Sequence, residues 1–261
     1  MKTFEQFWDE YTATFNRLPV WLPGEAMDVG DIGIMEPRGW QRLTDLKDIG
    51  IPFTHSATKS DVSQSRASGD AVEIRALADA AVGPQSLGTA LTGGLEVTFK
   101  RGGAFLIRAE NCRYSDIQDL LNVQARIEKR IANKKLDWKP RWILVTQVTS
   151  AQPAIVLVSK NGDAHARIEV HSNAGARNLA ELAKVGGELR MTSENALEQR
   201  VVSVKRTPIM WRGRRRGGLF RPGWTDLGEP GSVDTAEATD EPGFVDYLPS
   251  GNQVTRDAEA G

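Results

Sequence analysis

Residues 154–170 read AIVLVSKNGDAHARIEV, and this stretch decides the fold class. Its first part, 154–159, is an almost uninterrupted apolar run that leads into Asn161-Gly162, the dipeptide most typical of a type I′ hairpin turn. Its last part, 164–170, alternates strictly between apolar and polar side chains. Alternation with a period of two is the signature of a half-buried strand. The stretch therefore predicts a β-hairpin.

A similar pattern lies upstream, before residue 110. Residues 95–100 (LEVTFK) alternate, Arg101-Gly102-Gly103 provides a turn, and residues 104–109 return as a second apolar run. We predict another hairpin here. An alternating segment at 70–78 predicts a neighbouring strand. Residues 54–68 contain Ser, Thr, Lys and Asp and almost no apolar side chain to bury, so they predict a mobile loop.

Two predicted helices accompany these strands. Thr3 is a candidate cap for a first helix, which carries an aromatic stripe with a spacing of three and four residues. The apolar side chains of the stripe are Phe4, Phe7, Trp8, Tyr11, Phe15 and Leu18. Ser115 and Gln118 form a candidate capping box for a second helix with apolar residues up to Ile131. The polar face of the first helix is acidic, which favours packing against the body of the protein. The predicted fold class is α+β, a twisted antiparallel β-sheet with hairpins and packed helices.

The C-terminal residues carry the opposite charge from the rest of the chain. Residues 217–261 hold nine acids and two bases, a balance of −7, whereas residues 1–216 hold 31 bases and 25 acids, a balance of +6. The near-neutral total of −1 therefore combines a basic body with an acidic tail. Such a pair attracts itself, and removing the tail leaves a surface that favours anionic partners. We predict a β-rich body, 1–216, and an acidic, partly disordered tail, 217–261, which is either inhibitory or simply solvated.

Residues that usually carry catalysis or bind metals are sparse in this sequence. Cys112 is its single cysteine, so no intrachain disulfide forms and a reducing compartment is expected. His165 and His171 fall on one face of a predicted strand, but no third metal ligand accompanies them. No glycine pair is followed by the Lys-Ser/Thr of a phosphate loop. We therefore expect no enzyme activity, no cofactor and no metal site.

Basic side chains cluster just before the tail. The cluster comprises Arg212, Arg214, Arg215 and Arg216. Its candidate roles are contact with lipid phosphates, nucleic-acid binding, a clamp for the acidic tail, an exposed loop cut by a trypsin-like protease, or a solvated basic loop. Trp211 is the aromatic neighbour on the N-terminal side, and no others are interleaved, so a nucleic-acid platform has little support.

The order of these features resembles the pore-forming domain of gasdermins, in particular compact bacterial gasdermins with a short C-terminal inhibitory peptide. The resemblance covers nearly the whole body. The matching pieces are the opening MKTFE helix, VGDIGI at 29–34, Trp40, the segment 43–49, the first hairpin, the capped helix, WILVTQV at 142–148 directly before the second hairpin, and TPI at 207–209.

The resemblance implies a latent pore former, inhibited by its tail and activated by proteolysis, that permeabilises membranes and causes cell death in defence. Many cleaved copies would form a homo-oligomeric ring in which the hairpins lengthen into a closed barrel. The implied partners are an activating protease and anionic membrane lipids, without nucleic acid. The latent form is expected in the cytoplasm and the active form at the inner membrane. The implied inserting residues are Leu95, Val97, Phe99, Phe105, Ile107, Val156, Val158, Ala166, Ile168 and Val170, and the implied docking residues of the tail are Phe244, Val245, Tyr247 and Leu248.

Two other functions remain compatible with the sequence. One is a non-enzymatic β-rich structural or interaction protein of a phage or secretion assembly, in which the tail only aids solubility. The other is a nucleic-acid-binding module that uses the arginines at 212–216. Leakage of anionic vesicles separates the pore former from both.

Overall fold

We describe the chain from a computed structural model that covers residues 2–20, 26–36, 39–59, 62–76, 94–171, 188–217 and 223–227. Within these residues lie two α-helices, α1 (Lys2–Phe15) and α2 (Leu120–Ala132), and a short 3-10 helix at Gly69–Ala71. The strands in the same part of the chain are β1 (Leu18–Pro19), β2 (Asp31–Glu36), β3 (Gly39–Asp45), β4 (His55–Lys59), β5 (Gln64–Ala67), β6 (Val72–Ala76), β7 (Gly94–Phe99), β8 (Phe105–Ala109), β9 (Arg113–Ile117), β10 (Ile143–Ala151), β11 (Ala154–Ser159), β12 (Ala164–His171), β13 (Glu188–Asn195), β14 (Leu197–Ser203), β15 (Thr207–Arg216) and β16 (Trp224–Leu227).

The strands form three sheets, and all of their pairs are antiparallel. The central sheet has the order β1-β15-β10-β2-β3; β16 also pairs with β15, and β9 pairs with both β10 and β4. The inner sheet has the order β14-β11-β8-β5, and the outer sheet has the order β13-β12-β7-β6. Together with the two helices, these antiparallel sheets confirm the predicted α+β class.

The inner sheet lies between α1 and the outer sheet. One apolar core fills the space between the inner and outer sheets, and a second fills the space between the inner sheet and α1. Every residue of β8 and β11 is buried, because both faces of these strands are covered. In β7 the burial alternates from Leu95 to Phe99, because its other face is open to solvent. Full burial of each large apolar side chain contributes about 1.5–3 kcal/mol to this layered arrangement.

The central sheet is also covered on both faces. Ile143 and Leu144 are neighbours in β10 and enter different cores, so these cores lie on opposite sides of the sheet. Val123 and Ile127 of α2 pack into the Leu144 core. Trp8 of α1 packs into the Ile143 core, which ties the first helix to this sheet as well as to the inner one.

The hairpins predicted at residues 95–109 and 154–170 are wrong. β7 pairs with β6 and β12, whereas β8 pairs with β5 and β11, so the strands beside Arg101-Gly102-Gly103 belong to different sheets. In the same way Asn161-Gly162 joins β11 of the inner sheet to β12 of the outer sheet. At both bends the flanking strands meet through side chains in the shared core. Consecutive strands do pair as β6–β7 and β12–β13, whose connections lie outside the described residues.

Two further predictions are corrected by the structure. Residues 54–68 contain β4 and β5, two edge strands whose polar composition matches that of strands left open to water. The predicted capping box is wrong because Ser115 lies in β9 and α2 begins only after Asp119. The Asp119 carboxylate instead accepts a hydrogen bond from the amide of Thr54 (3.0 Å), which lowers the pKa of that carboxyl group. The predicted first helix is confirmed by α1, but the helix begins at Lys2, so Thr3 lies within it and is not its cap.

Candidate functional site

The inner and outer sheets are two halves of one four-stranded sheet that is bent back on itself. β7 continues into β8, and β11 continues into β12. In the outer sheet Phe99 lies opposite Ala164, and in the inner sheet Phe105 lies opposite Val158. Five residues lie between Phe99 and Phe105, and five lie between Val158 and Ala164. The strand register is therefore the same in both sheets. We call residues 94–109 and 154–169 the continuous pair.

Hydrogen bonds carry this pairing through the bend. The amide of Ser159 donates to the carbonyl of Ala104 (2.9 Å), and the amide of Gly103 donates to the carbonyl of Ser159 (3.0 Å). On the other side of the bend the amide of Asp163 donates to the carbonyl of Phe99 (2.8 Å). The edge strands β5–β6 and β13–β14 bend at the same place. There, however, the number of residues in the edge segment differs from the number in the segment it pairs with. Unbroken register is therefore a property of the continuous pair.

Each of the four bends contains one residue with a left-handed backbone. The φ angle is +41° at Gly69, +71° at Gly103, +63° at Asp163 and +52° at Ala196. Glycine adopts this conformation without steric cost, whereas other L-residues lose roughly 1–2 kcal/mol in it. The bends at Asp163 and Ala196 therefore hold local strain in the folded state.

Ala196→Gly is expected to raise the free energy of unfolding by about 0.5–1 kcal/mol, because glycine relieves the left-handed strain but also increases the entropy of the unfolded chain. Urea denaturation of the full chain measures this change. Ala57→Gly in β4 is the matched control, since Ala57 has an ordinary strand backbone and is exposed. That control should lose about 0.5–1 kcal/mol. Equal losses in both variants would contradict strain at the bend.

The predicted inserting residues divide between two cores. Those of the outer sheet face the inner sheet and are Leu95, Val97, Phe99, Ala166 and Ile168. Those of the inner sheet face α1 and are Phe105, Ile107, Val156 and Val158. The side chain of Val170 lies outside the described residues, although its backbone pairs with Leu189. The bent sheet thus removes all nine described side chains from solvent.

These residues would share one face if the bend were straight. Side chains two residues apart lie on the same face of a strand. The predicted residues of β7 and β8 are all odd-numbered, those of β11 and β12 are all even-numbered, and the register places odd opposite even, as with Val97 and Ala166. The other face of the outer half carries polar side chains, including Glu96 and Thr98. Arg101 and Lys160, both at the bend, are the basic residues that fall on the apolar side.

Helix α1 covers the apolar face of the inner sheet. Tyr11 and Phe15 pack around Phe105, with ring centroids 5.7 and 6.3 Å from that ring. Burial raises the pKa of the Tyr11 hydroxyl. The Glu10 carboxylate, on the residue before Tyr11, forms an ion pair with Arg101 at the bend. The helix is therefore attached both to the inner sheet and to the line along which the sheet bends.

The predicted basic cluster lies in a strand, which corrects the prediction of an exposed loop. Its members, Arg212, Arg214, Arg215 and Arg216, all belong to β15, and this strand pairs with both β10 and β16. Arg214 forms a two-pronged ion pair with Asp226, in which Nη2 lies 2.8 Å from Oδ2. Arg216 Nε donates to the Glu128 carboxylate of α2 (2.8 Å). A role in lipid binding stays a prediction.

The predicted tail begins inside the central sheet. β16 adds to this sheet beside β15, and the Trp224 ring packs edge-on against Trp138 with centroids 5.5 Å apart. Asp226, an acidic residue of the tail, forms an ion pair with Arg214, and a clamp for the whole tail stays a prediction. The predicted docking residues lie outside the described residues; they are Phe244, Val245, Tyr247 and Leu248. Their docking and the boundary after residue 216 stay predictions.

The structure also shows the surroundings of Cys112 and of the described His, Asp and Glu side chains. Cys112 is buried, and burial raises the pKa of its thiol to about 11, so the thiolate is scarce at neutral pH. Among the residues that the structure covers, no group of three His, Cys, Asp or Glu side chains is placed to hold a metal ion. No helix in this part of the chain is long and apolar enough to cross a membrane.

Comparison with known proteins gives a weak structural similarity. A bacterial gasdermin from Bradyrhizobium tropiciagri superposes with a TM-score of 0.36 and 12% sequence identity, over 85% of this chain and 90% of that chain. No protein-family model matches the sequence, and neither does any curated protein. A similarity of this size does not establish a shared family.

Proposed function

We propose that this chain is a latent membrane pore former whose outer sheet swings away from the inner sheet and inserts into lipid. The observation that carries the proposal is the unbroken register of the continuous pair. Because one register serves both sheets, the central ladder stays paired when the bend straightens, and backbone groups that enter lipid remain hydrogen-bonded. The bends of the edge strands differ in length from the segments they pair with. The edge strands must therefore shift their register against the continuous pair when the bend straightens.

The bend marks the border of the inserting part. Arg101 and Lys160 would lie on the apolar side at this border, where long basic side chains can reach the headgroups of anionic lipids. Outer-sheet residues such as Val97 and Ile168 then face the acyl chains, while Phe105 stays under α1. A spanning strand needs about 9–11 residues, so the connections beyond β7 and β12 must contribute. The connection at 77–93 has a single charged side chain, Asp79, which suits insertion.

The latent state is held by contacts that bury the apolar face. The side chains of the outer sheet that would face lipid are buried against the inner sheet. The ion pair between Glu10 and Arg101 holds the bend in place. The acidic tail lowers the attraction of the basic body for anionic lipids, with Arg214 and Asp226 as its anchor. Proteolysis after β16 removes this block, and released copies assemble into a ring at the inner membrane. The proposed protein is non-enzymatic, cytoplasmic when latent, and acts in defence by killing the cell.

A nucleic-acid role for the basic cluster has less support. Arg214 and Arg216 already pair with the carboxylates of Asp226 and Glu128. Phosphate contacts by these two arginines would require both ion pairs to break. The same pairs explain why the cluster can lie within a strand without strong repulsion between its members.

A chain that ends at Leu227 is expected to release dye from anionic vesicles, whereas the full chain is expected to be inert. This truncation keeps every described residue and removes eight acids and one base, which changes the net charge from −1 to +6. Each basic residue near an anionic surface contributes on the order of 1 kcal/mol to binding. Dye release from vesicles with and without anionic lipid measures the effect.

The matched control is a full-length chain in which the tail acids after Leu227 are replaced by their amides. If charge alone keeps the chain latent, this variant leaks like the truncated one; if docking also contributes, it leaks less. Equal leakage by the full and truncated chains, or none from either at low salt, would contradict the proposed function.

A further inference from the structure

A cavity on the central sheet lies apart from the bend and carries an excess of positive charge. Its volume is about 610 Å³, within the usual range for small-molecule sites. It opens between β9, β10 and β15 and the residues that precede β2. Arg113, Arg206, Lys47 and His55 contribute basic groups to its lining, and Asp28 contributes the acidic group.

Arg113 and Arg206 of this cavity have no carboxylate partner among the residues that the structure describes. Within the described residues the Arg206 guanidinium donates one hydrogen bond, to the main-chain carbonyl of Asn111 (3.1 Å). Burial and the positive charge of Arg113 both lower the pKa of Arg206, so the two guanidinium groups are close enough to repel. The Nε atom of Arg113 is buried and has no hydrogen-bond partner among the described residues. Two adjacent, unneutralised cations in a cavity destabilise the fold unless an anion binds between them.

Hydroxyl groups complete a set of donors on the same wall. Ser150 lies opposite Arg113 in the pairing of β10 with β9, and Ser115 is two residues further along β9. Both serines line the cavity, and neither side chain is hydrogen-bonded within the described chain. The neighbouring Arg42 differs, because Asp31 neutralises it (2.7 Å). Within the described part of this region, the arginines without a carboxylate partner and the serines without a hydrogen bond lie on the same wall of the cavity.

We propose that this cavity binds a phosphomonoester dianion through the guanidinium groups of Arg113 and Arg206 and the hydroxyls of Ser115 and Ser150. The planar guanidinium group matches the spacing of phosphate oxygens, and charge-assisted hydrogen bonds are the stronger kind. The volume of the cavity leaves room for the organic part of the ligand. The inference goes beyond the proposed membrane function and does not depend on it. A soluble metabolite and a phosphatidic acid headgroup both carry the required group.

Calorimetric titration of the full chain with glycerol 3-phosphate, and flotation with phosphatidylcholine vesicles containing phosphatidic acid, distinguish the two sources. Binding in the first assay identifies a soluble ligand, and binding in the second alone identifies a lipid headgroup. In the assay that shows binding, Arg113→Gln and Arg206→Gln are each expected to weaken it about ten- to hundredfold. Arg66→Gln, at an exposed arginine of β5, is the control and should bind like wild type. No binding in either assay, or variants that bind like wild type, would overturn the inference.

The melting temperature distinguishes an arginine that binds a ligand from one with a purely structural role. In phosphate-free buffer Arg113→Gln should melt at a higher temperature than wild type, because the repulsion with Arg206 is gone. With saturating glycerol 3-phosphate or phosphatidic acid, whichever binds, wild type should gain stability and the variant should not. A variant that melts lower than wild type without ligand, with no ligand effect on either protein, assigns Arg113 a structural role and refutes the site.

Discussion

A disulfide between cysteines placed at Leu157 and Ala166 is expected to reduce leakage by the chain ending at Leu227 to background, and reduction is expected to restore it. Both side chains lie in the core between the inner and outer sheets. Each is the third residue of its strand, counted from the bend at 160–163. Such a bond would join two packed sheets across their shared core, as disulfides do in immunoglobulin domains. The bond holds the layers together, and the outer sheet can no longer leave.

The control for this lock is a disulfide within the outer sheet. Val97 and Ala166 lie directly opposite each other in β7 and β12, and they keep this pairing whether the sheet is bent or straight. Cysteines at these positions should therefore leave leakage unchanged under oxidising conditions. Both variants carry Cys112→Ala, which removes the native thiol. Leakage by the oxidised Leu157–Ala166 variant at the rate of this control would mean that the sheets do not separate.

The sequence predicts the strands of the continuous pair well because their patterns are local. The alternation of apolar Leu95, Val97 and Phe99 with polar residues predicts a strand buried on one face. The structure places these three residues in one core. The aromatic stripe of the first helix is equally local, and Tyr11 lies where the stripe predicts. The predicted inserting residues also share one face of a straight sheet, since a period of two relates them.

The pairing of those strands could not be predicted, because a turn signal does not say which strands bond. Asn161-Gly162 marks a sharp bend, but the left-handed residue is Asp163. A side chain at Gly162 would come within 3.1 Å of the Lys100 carbonyl on the neighbouring bend, so this glycine permits a tertiary contact. One sequence signal did distinguish the sheets: the continuous apolar runs at β8 and β11 indicate strands covered on both faces, whereas β7 and β12 alternate.

The candidate anion cavity has no signature in the sequence. Arg113 and Arg206 are far apart along the chain and occupy segments that differ in pattern. They meet because β9 and β15 both flank β10 in the central sheet. The absence of carboxylate partners in the described structure is likewise a tertiary property. Sequence patterns therefore predict single strands and the charge balance of the chain. They do not predict bends or cavities, which form only when the sheets assemble.

The straightening of the bend is tested most directly by the distance between spin labels at Glu96 and Glu110, measured by pulsed electron resonance on the chain ending at Leu227. In solution the two sites lie on layers about 10 Å apart, so the labels should be within roughly 25 Å. On anionic vesicles the 14 intervening steps of a straight strand should separate them by about 46 Å. A label pair at Glu110 and Arg126, neither in the outer sheet, should keep its distance. If the Glu96–Glu110 distance on leaking vesicles stays at its solution value, the outer sheet does not open, and the proposed mechanism is wrong.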